Sequence, residues 1–233
     1  KTINNDNGGS ALATAWTLSA SGNTNISGVT GATSVTNAVV NPGTYSLSEN
    51  GGPSGYTASD WSCVKNNSSP VTGPSIDLVA GDTAICTINN DDIQPKITVN
   101  KIVVNDSDTG TATATDFTLK VGSTVVVNGQ QEGVNSGSYT VNESGPSGYT
   151  ATFTGDCDSN GSITLSAGDV KTCTITNNDD PLPPPTQGVV KVIKVVNNDN
   201  GGNAVVGDVT LKVGDTTVTS GENNNFDPNT YIV

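Results

Sequence analysis

Three polar residues recur in phase with apolar ones, and their types together could do chemistry. Side chains alternate between the two faces of a strand, so residues two apart share a face. Lys101 is in phase with Ile97, Val99 and Val103. Glu143 is in phase with Tyr139 and Val141, and Asn177 with Cys173 and Ile175. The same set stands about a hundred residues earlier, where Lys1 is in phase with Ile3, Glu49 with Tyr45 and Leu47, and Asn90 with Cys86 and Ile88. Asn90 and Asn177 both lie four residues after a cysteine, which fixes the alignment of the two sets. A charge in phase with a core is costly unless it is paired or neutralised. Burial lowers a lysine's pKa and raises a carboxylic acid's, so an amine and an acid buried together drift toward neutral forms. A neutral amine is a nucleophile, and a protonated carboxyl is a proton donor. The plainer account is that lysines near strand ends snorkel to water, Asn caps a turn and Glu sits on a solvated edge.

The elements that would position these residues are repeated. Tyr45 to Tyr56 reads YSLSENGGPSGY and Tyr139 to Tyr149 reads YTVNESGPSGY. Each is followed by a cysteine in a closing phrase, AICTINNDD at 84–92 and KTCTITNNDD at 171–180. Each is preceded by a lysine and an Asx-rich turn, KTINNDNGG from Lys1 and KIVVNDSDTG from Lys101. A third opening, KVVNNDNGG, starts at Lys194, and its stretch ends at Val233 ahead of any matching glutamate. A period of about a hundred residues indicates an array of small domains, not a solenoid of short units. The expected layout is a first domain over 1–92, a second over 96–180, a proline-rich spacer at 181–187 and an incomplete third over 188–233. PLPPPTQ favours a short, semi-rigid, extended spacer.

Thr, Val, Ser, Asn and Gly dominate, in short alternating runs between Gly, Pro and Asx turns, with no long helical period. That pattern predicts an all-β fold of tandem seven-stranded, immunoglobulin-like or transthyretin-like β-sandwich domains. In the second repeat the strands are expected near 96–104, 115–121, 123–128, 137–143, 148–156, 161–165 and 170–177.

The four cysteines fall two per complete repeat, Cys63 with Cys86 and Cys157 with Cys173. Equivalent positions in both copies predict one disulfide in each. Zinc is the alternative, but neither spacing contains a CxxC pair, and two thiolates alone make no site. With aromatics only 4% and hydrophobics 33% of residues, the cores must be thin and in need of staples. Disulfides place the chain in an oxidising compartment, outside the cell or on its surface.

Composition also excludes. The net charge is −13, with nine lysines and no arginine or histidine, so nothing here could neutralise a nucleic-acid backbone. No apolar run approaches the length of a membrane span. Without histidine there is no Ser–His–Asp arrangement, and no phosphate-binding glycine loop occurs, so no enzyme is expected. No cofactor and no metal site is expected. The run from Asn105 fails the EF-hand template, since Ser107, Thr109 and Asp116 would stand where stronger ligands belong. Asp91, Asp92, Asp179 and Asp180 are the remaining calcium candidates, and hairpin turns are the favoured account of the Asx-rich loops.

A lysine in the first strand, a glutamate in a Y…E…PSGY phrase and an asparagine in the last strand resemble the CnaB-type, prealbumin-like (SpaA-like) domains of bacterial surface stalks and pilins. The resemblance covers both full repeats and the opening of the third. It departs from many such domains in the added cysteine pairs, and the spacing from glutamate to proline differs between Glu49–Pro53 and Glu143–Pro146. The resemblance implies an intramolecular isopeptide bond between Lys and Asn, assisted by Glu. The pairs are then Lys1–Asn90 with Glu49, and Lys101–Asn177 with Glu143; Asn89 and Asn178 would stand in if the register slipped by one. It further implies a structural, load-bearing role in a stalk, pilus-like shaft or fibre, with copies of the chain as partners. An adhesive module for a host or glycan ligand, or a passive spacer presenting another domain, are the other readings. An exposed cluster around Trp16, Tyr56 and Trp61 would favour adhesion.

Overall fold

Alternating burial along the strands converts this pattern into layers. The computed structural model describes residues 1–107, 110–181 and 187–233. The expected proline-rich spacer lies almost wholly outside the described residues. The chain divides into two compact units, Lys1–Asp180 and Pro181–Val233.

In the first repeat the strands are β1 (Thr2–Asn4), β2 (Trp16–Ser21), β3 (Ile26–Val29), β4 (Gly43–Gly51), β5 (Tyr56–Ala58), β6 (Ser62–Lys65), β7 (Val71–Thr72), β8 (Ser75–Leu78), β9 (Ala84–Thr87) and β10 (Asn89–Asp92). In the second they are β11 (Lys96–Val104), β12 (Thr118–Val121), β13 (Thr124–Val126), β14 (Gln131–Gly133), β15 (Gly137–Ser144), β16 (Tyr149–Gly155), β17 (Ser162–Leu165) and β18 (Val170–Asp179). Two four-stranded sheets, in the orders β14-β11-β18-β16 and β13-β12-β15-β17, enclose one core. Ile97, Val99, Cys173 and Ile175 of the first sheet meet Leu119, Val121, Val141, Ile163 and Leu165 of the second. The expected all-β sandwich is present, and a short eighth strand, β14, joins β11 at the edge.

The first and last strands of each repeat are parallel neighbours. β11 pairs with β18 from Lys96–Val170 to Val104–Asn178. β1 pairs with β10 over Thr2–Asn89 to Asn4–Asp91. In the first repeat β3-β2-β4-β8 form one sheet, while the other is split into β1-β10-β5 and β7-β6-β9. The split is a bulge: Ala58 pairs Asn90 and Ser62 pairs Thr87, so residues 59–61 oppose 88 and 89. Trp61 and Ile88 are buried at that bend.

A tyrosine corner closes the start of β4 and of β15, and unit two repeats the hydrogen bond at Tyr231. The Tyr45 hydroxyl donates to the Asn41 carbonyl at 2.6 Å, that of Tyr139 to Asn135 at 2.7 Å and that of Tyr231 to Asp227 at 3.0 Å. Unit two is smaller. β19 (Gly188–Lys191) pairs with β22 (Asn223–Phe226), and β20 (Leu211–Val213) with β21 (Thr216–Val218). Val213, Val218 and Phe226 form its core.

Within unit one the two repeats are joined by backbone hydrogen bonds and by close glycine packing. Ile93 donates to the Gly55 carbonyl at 2.8 Å and accepts from the Gly168 N–H at 2.7 Å, while the Ser136 N–H donates to the Asn7 carbonyl at 2.7 Å. Pro95 between them is fully buried. Gly55 has φ +84°, and a Cβ there would overlap the Ala167 carbonyl. Gly55→Val should therefore cost about 2–3 kcal/mol at this junction, from overpacking and left-handed strain. The expected outcome is hydrogen exchange at the Gly168 and Ser136 amides faster by up to ~100-fold, with the Ile175 amide unchanged.

Candidate functional site

The register of the parallel pair decides which side chains meet. Lys101 pairs with Ile175 and Val103 with Asn177, so Lys101 and Asn177 point to the same face, offset by one diagonal step. With a rise of ~3.3 Å per residue and strands ~4.8 Å apart, that diagonal is roughly 8 Å between Cα atoms. A four-methylene side chain spans it. The first repeat copies the offset, because Ile3, two residues after Lys1, pairs with Asn90.

Glutamate arrives from the opposite sheet. Glu143 on β15 pairs with Leu119 of β12, and Glu49 on β4 pairs with Leu18 of β2. The Lys101 Nζ lies 3.0 Å from Glu143 Oε2, off the alignment of a hydrogen bond, and the Lys1 Nζ donates to Glu49 Oε2 at 2.8 Å. Both lysine side chains are 0% exposed, against 10% for Glu143 and 12% for Glu49. Burial pushes the Lys101 amine below its ordinary pKa, and Glu143 opposes that shift without reversing it.

Asn90 and Asn177 are buried beside them. Among the described residues, neither Asn90 Oδ1 nor Asn177 Oδ1 has a hydrogen-bond partner. A buried carbonyl without a donor costs about 1–3 kcal/mol. Each site therefore holds a desolvated amine, a carboxyl and a carboxamide whose oxygen is unsatisfied. Asn89 and Asn178, the residues for a slipped register, belong to the opposite parity; Asn178 is exposed.

An aromatic ring covers each amine, and sequence reasoning missed it. Lys101 Nζ lies 4.1 Å from the Phe117 ring centroid, and Lys1 Nζ 4.7 Å from that of Trp16. Both rings are buried, as is Trp61, so the exposed Trp16–Tyr56–Trp61 cluster that would mark an adhesive surface does not form. The signal was available in the spacing, since Trp16 follows Lys1 by 15 residues and Phe117 follows Lys101 by 16.

The disulfides form as the cysteine count implies, Cys63–Cys86 and Cys157–Cys173, with no free cysteine. Cys63 and Cys86 face each other across β6 and β9. Cys157 lies past the end of β16 and reaches back to β18. The rings span 23 and 16 residues, and each contributes about 3 kcal/mol in the loop-entropy account.

The Asx-rich loops close on a buried aspartate. Asp92 accepts from the Asn7 N–H at 3.0 Å and the Gly9 N–H at 2.6 Å. Asp179 accepts from Asp106, Ser107 and Gly110 N–H groups at 2.9, 3.1 and 2.9 Å. Of the calcium candidates, Asp91 and Asp92 stand near Asp6, one carboxylate oxygen of each within 4.8 Å of the others. Both Asp92 oxygens point at amide donors.

A family model described as a prealbumin-like fold domain matches residues 1–88 and 92–175. Among solved structures, the major pilin protein T-13 from Streptococcus pyogenes is similar at 18% identity, over 77% of this chain and 95% of that one, with a TM-score of 0.30. The major pilin protein T3.2 from Streptococcus pyogenes is similar at 16% identity, over 71% and 90%, with a TM-score of 0.33. The comparison with curated proteins gave no match.

Burial pushes the Asp92 carboxyl up, but the Asn7 and Gly9 amides outweigh it and hold it below the usual carboxylate range. A depressed folded-state pKa gives stability that is fully present above the unfolded value and lost as pH falls through the folded one. Asp92→Asn should destabilise the first repeat by about 1–3 kcal/mol at pH 7, because an amide cannot accept both N–H bonds. Denaturant unfolding at a series of pH values should show the difference from wild type vanishing once pH falls below that lowered value.

Proposed function

The chain belongs to the family of prealbumin-like fold domains, and from that membership and the buried triads we propose that it is a structural, load-bearing segment of an extracellular stalk, pilus-like shaft or fibre. The observation that carries this reading is the buried Lys–Glu–Asn set, built twice, each time between the first and last strands. Each set condenses once, during maturation. The neutral Lys Nζ attacks the Asn Cγ, forming a C–N bond. The C–Nδ2 bond breaks, and the amide nitrogen leaves as ammonia. Glu takes the proton from the attacking amine and delivers it to the departing nitrogen. The product is an amide between Lys101 and Asn177, and its counterpart between Lys1 and Asn90. Fixed proximity supplies most of the acceleration, since the groups are held together by strand pairing before any reaction. The protein is its own substrate and turns over once, so it is not an enzyme.

The bond explains the architecture mechanically. Tension on a stalk enters a domain by its first strand and leaves by its last. These two strands are parallel neighbours in both repeats. A covalent bridge between them carries the load directly and spares the sandwich. Two disulfides support an oxidising location outside the cell. The hydrogen-bonded junction at Ile93 supports transmission of load from one repeat to the next.

Intact-mass measurement of the denatured, reduced chain tests this reading. The expected deficit is one ammonia per complete repeat, two in all. Lys101→Ala or Glu143→Gln should remove one deficit and leave the other. A full-mass wild-type chain would remove the proposal of covalent reinforcement.

A further inference from the structure

The two amines are shut off from water by more than the sheets that carry them. In the second repeat, the Phe117 ring over Lys101 is itself held on two sides. The Gly145 backbone passes so close that a Cβ there would overlap Phe117 Cδ1. On another side the Tyr149 ring meets it edge-on, centroids 5.7 Å apart and planes at 88°. Tyr149 cannot swing away, because its hydroxyl is locked at both ends. It donates to Asn105 Oδ1 at 2.7 Å and accepts from the Ala112 N–H at 2.9 Å. Asn105 and Ala112 are the two ends of the Asx-rich loop, and Asn105 Nδ2 also donates to the Ala112 carbonyl. Asp179, two residues beyond Asn177 on the same strand face, gathers the amides of that loop.

The first repeat reproduces every link with a different covering ring. Trp16 replaces Phe117 and meets Tyr56 edge-on at 5.4 Å and 75°. The Tyr56 hydroxyl donates to Asn5 Oδ1 at 2.6 Å and accepts from Ala11 at 3.1 Å. Gly52 presses on the Trp16 ring as Gly145 does on Phe117. Gly9 and Gly110 are the points where a Cβ would overlap the tyrosine hydroxyl. Asp92 closes the loop as Asp179 does. A merely apolar plug needs no hydroxyl fixed to a loop. Two copies that differ in the covering ring yet keep the tyrosine, the asparagine, the glycine and the aspartate indicate that the latch is the kept feature.

We propose that Tyr149 and Tyr56 are positioning residues for the Lys–Asn condensation: each, pinned by the Asx-rich loop that Asp179 or Asp92 closes, seats the aromatic ring that keeps the lysine nitrogen dry. This rests on the reading that Lys and Asn condense. The ring face attracts a cation and so favours ammonium, while the exclusion of water favours free amine. Burial holds the Lys101 amine below its ordinary pKa against the opposing pull of Glu143. Loosening Tyr149 leaves the ring in the chain but admits water, so the amine should return toward an ordinary lysine. The charged groups around Lys101 are few. Glu143 faces it from the opposite sheet, Asp179 lies beyond Asn177 with its oxygens on loop amides, and Asp116 beside Phe117 is bound to Thr113.

The test uses the full chain with Asn177→Ala, which keeps Lys101 unbonded. The Lys101 side chain is titrated by NMR with and without Tyr149→Leu. The expected result is an upward shift of the Lys101 midpoint in the double variant, with Tyr149→Phe, which keeps the ring, shifting it less. An unchanged midpoint in Tyr149→Leu overturns the latch. Asp179→Asn loosens the loop from its other end, keeps the tyrosine, and should raise the midpoint as well, which covers a Tyr149→Leu chain that fails to fold. In the Asn177-bearing chain, Tyr149→Leu should also slow ammonia loss in the second repeat alone and move its rise with pH to higher pH. A wild-type chain that keeps both ammonias sinks the condensation and the latch together. A wild type that loses them, beside a Tyr149→Leu variant with unchanged midpoint and rate, sinks the latch alone.

Discussion

An amine held inside a sandwich by a carboxyl from the facing sheet is the contact on which the rest of each repeat depends. Lys101 occupies a position that Ile97 and Val99 would predict to be apolar, and its nitrogen has no route to water. Such a group is tolerated only with a partner at close range. That requirement fixes three strands at once. β11 must present Lys101 inward, β15 must bring Glu143 opposite, and β18 must run parallel to β11 with Asn177 one step further on. A one-residue slip of β11 would turn Lys101 out and Ile102 in, and would leave Glu143 without its cation. The polar set therefore specifies register more sharply than a uniform aliphatic stripe could.

The two repeats reach this geometry by different local routes. The second uses a continuous last strand of ten residues, while the first breaks it at Ile88 and bulges its neighbour at residues 59–61. One disulfide lies directly across a strand pair and the other ties a turn to a strand. One amine is covered by an indole, the other by a phenyl ring. What stays constant is the Lys–Asn offset, the carboxyl from the opposite sheet, and the tyrosine locked to a loop.

Much of this was legible in the chain because a strand's period of two is short. Lys101, Glu143 and Asn177 could be assigned to the core face from two or three neighbours each, and the cysteines confirmed the alignment between copies. What escaped had no local signature. β14 is Gln-Glu-Gly, a sequence with little strand preference, and exists because β11 offers it an open edge. Trp16 entered only as a member of an exposed adhesive cluster and Phe117 not at all, since nothing nearby marks a residue that will cover an amine from another strand. Asp92 and Asp179 drew attention as junction acids, yet their partners lie some 70 to 85 residues away along the chain. Hydrogen bonds that span a whole domain leave no pattern in a short window.

The placement of the disulfides separates their role from that of the proposed bridge. Cys157 and Cys173 both lie between Lys101 and Asn177, and Cys63 and Cys86 both lie between Lys1 and Asn90. A bridge from Lys to Asn encloses the cysteine ring, so tension through the bridge passes the disulfide by. The disulfide then contributes nothing to resisting extension. What it does is hold the last strand, four residues before the asparagine, against its neighbour or turn. That constraint acts on the unbonded chain, where the thin core of a small domain leaves the last strand prone to fray. On the proposed reading an order follows from topology: oxidation secures the strand that carries Asn, and strand pairing then aims Asn at the enclosed amine.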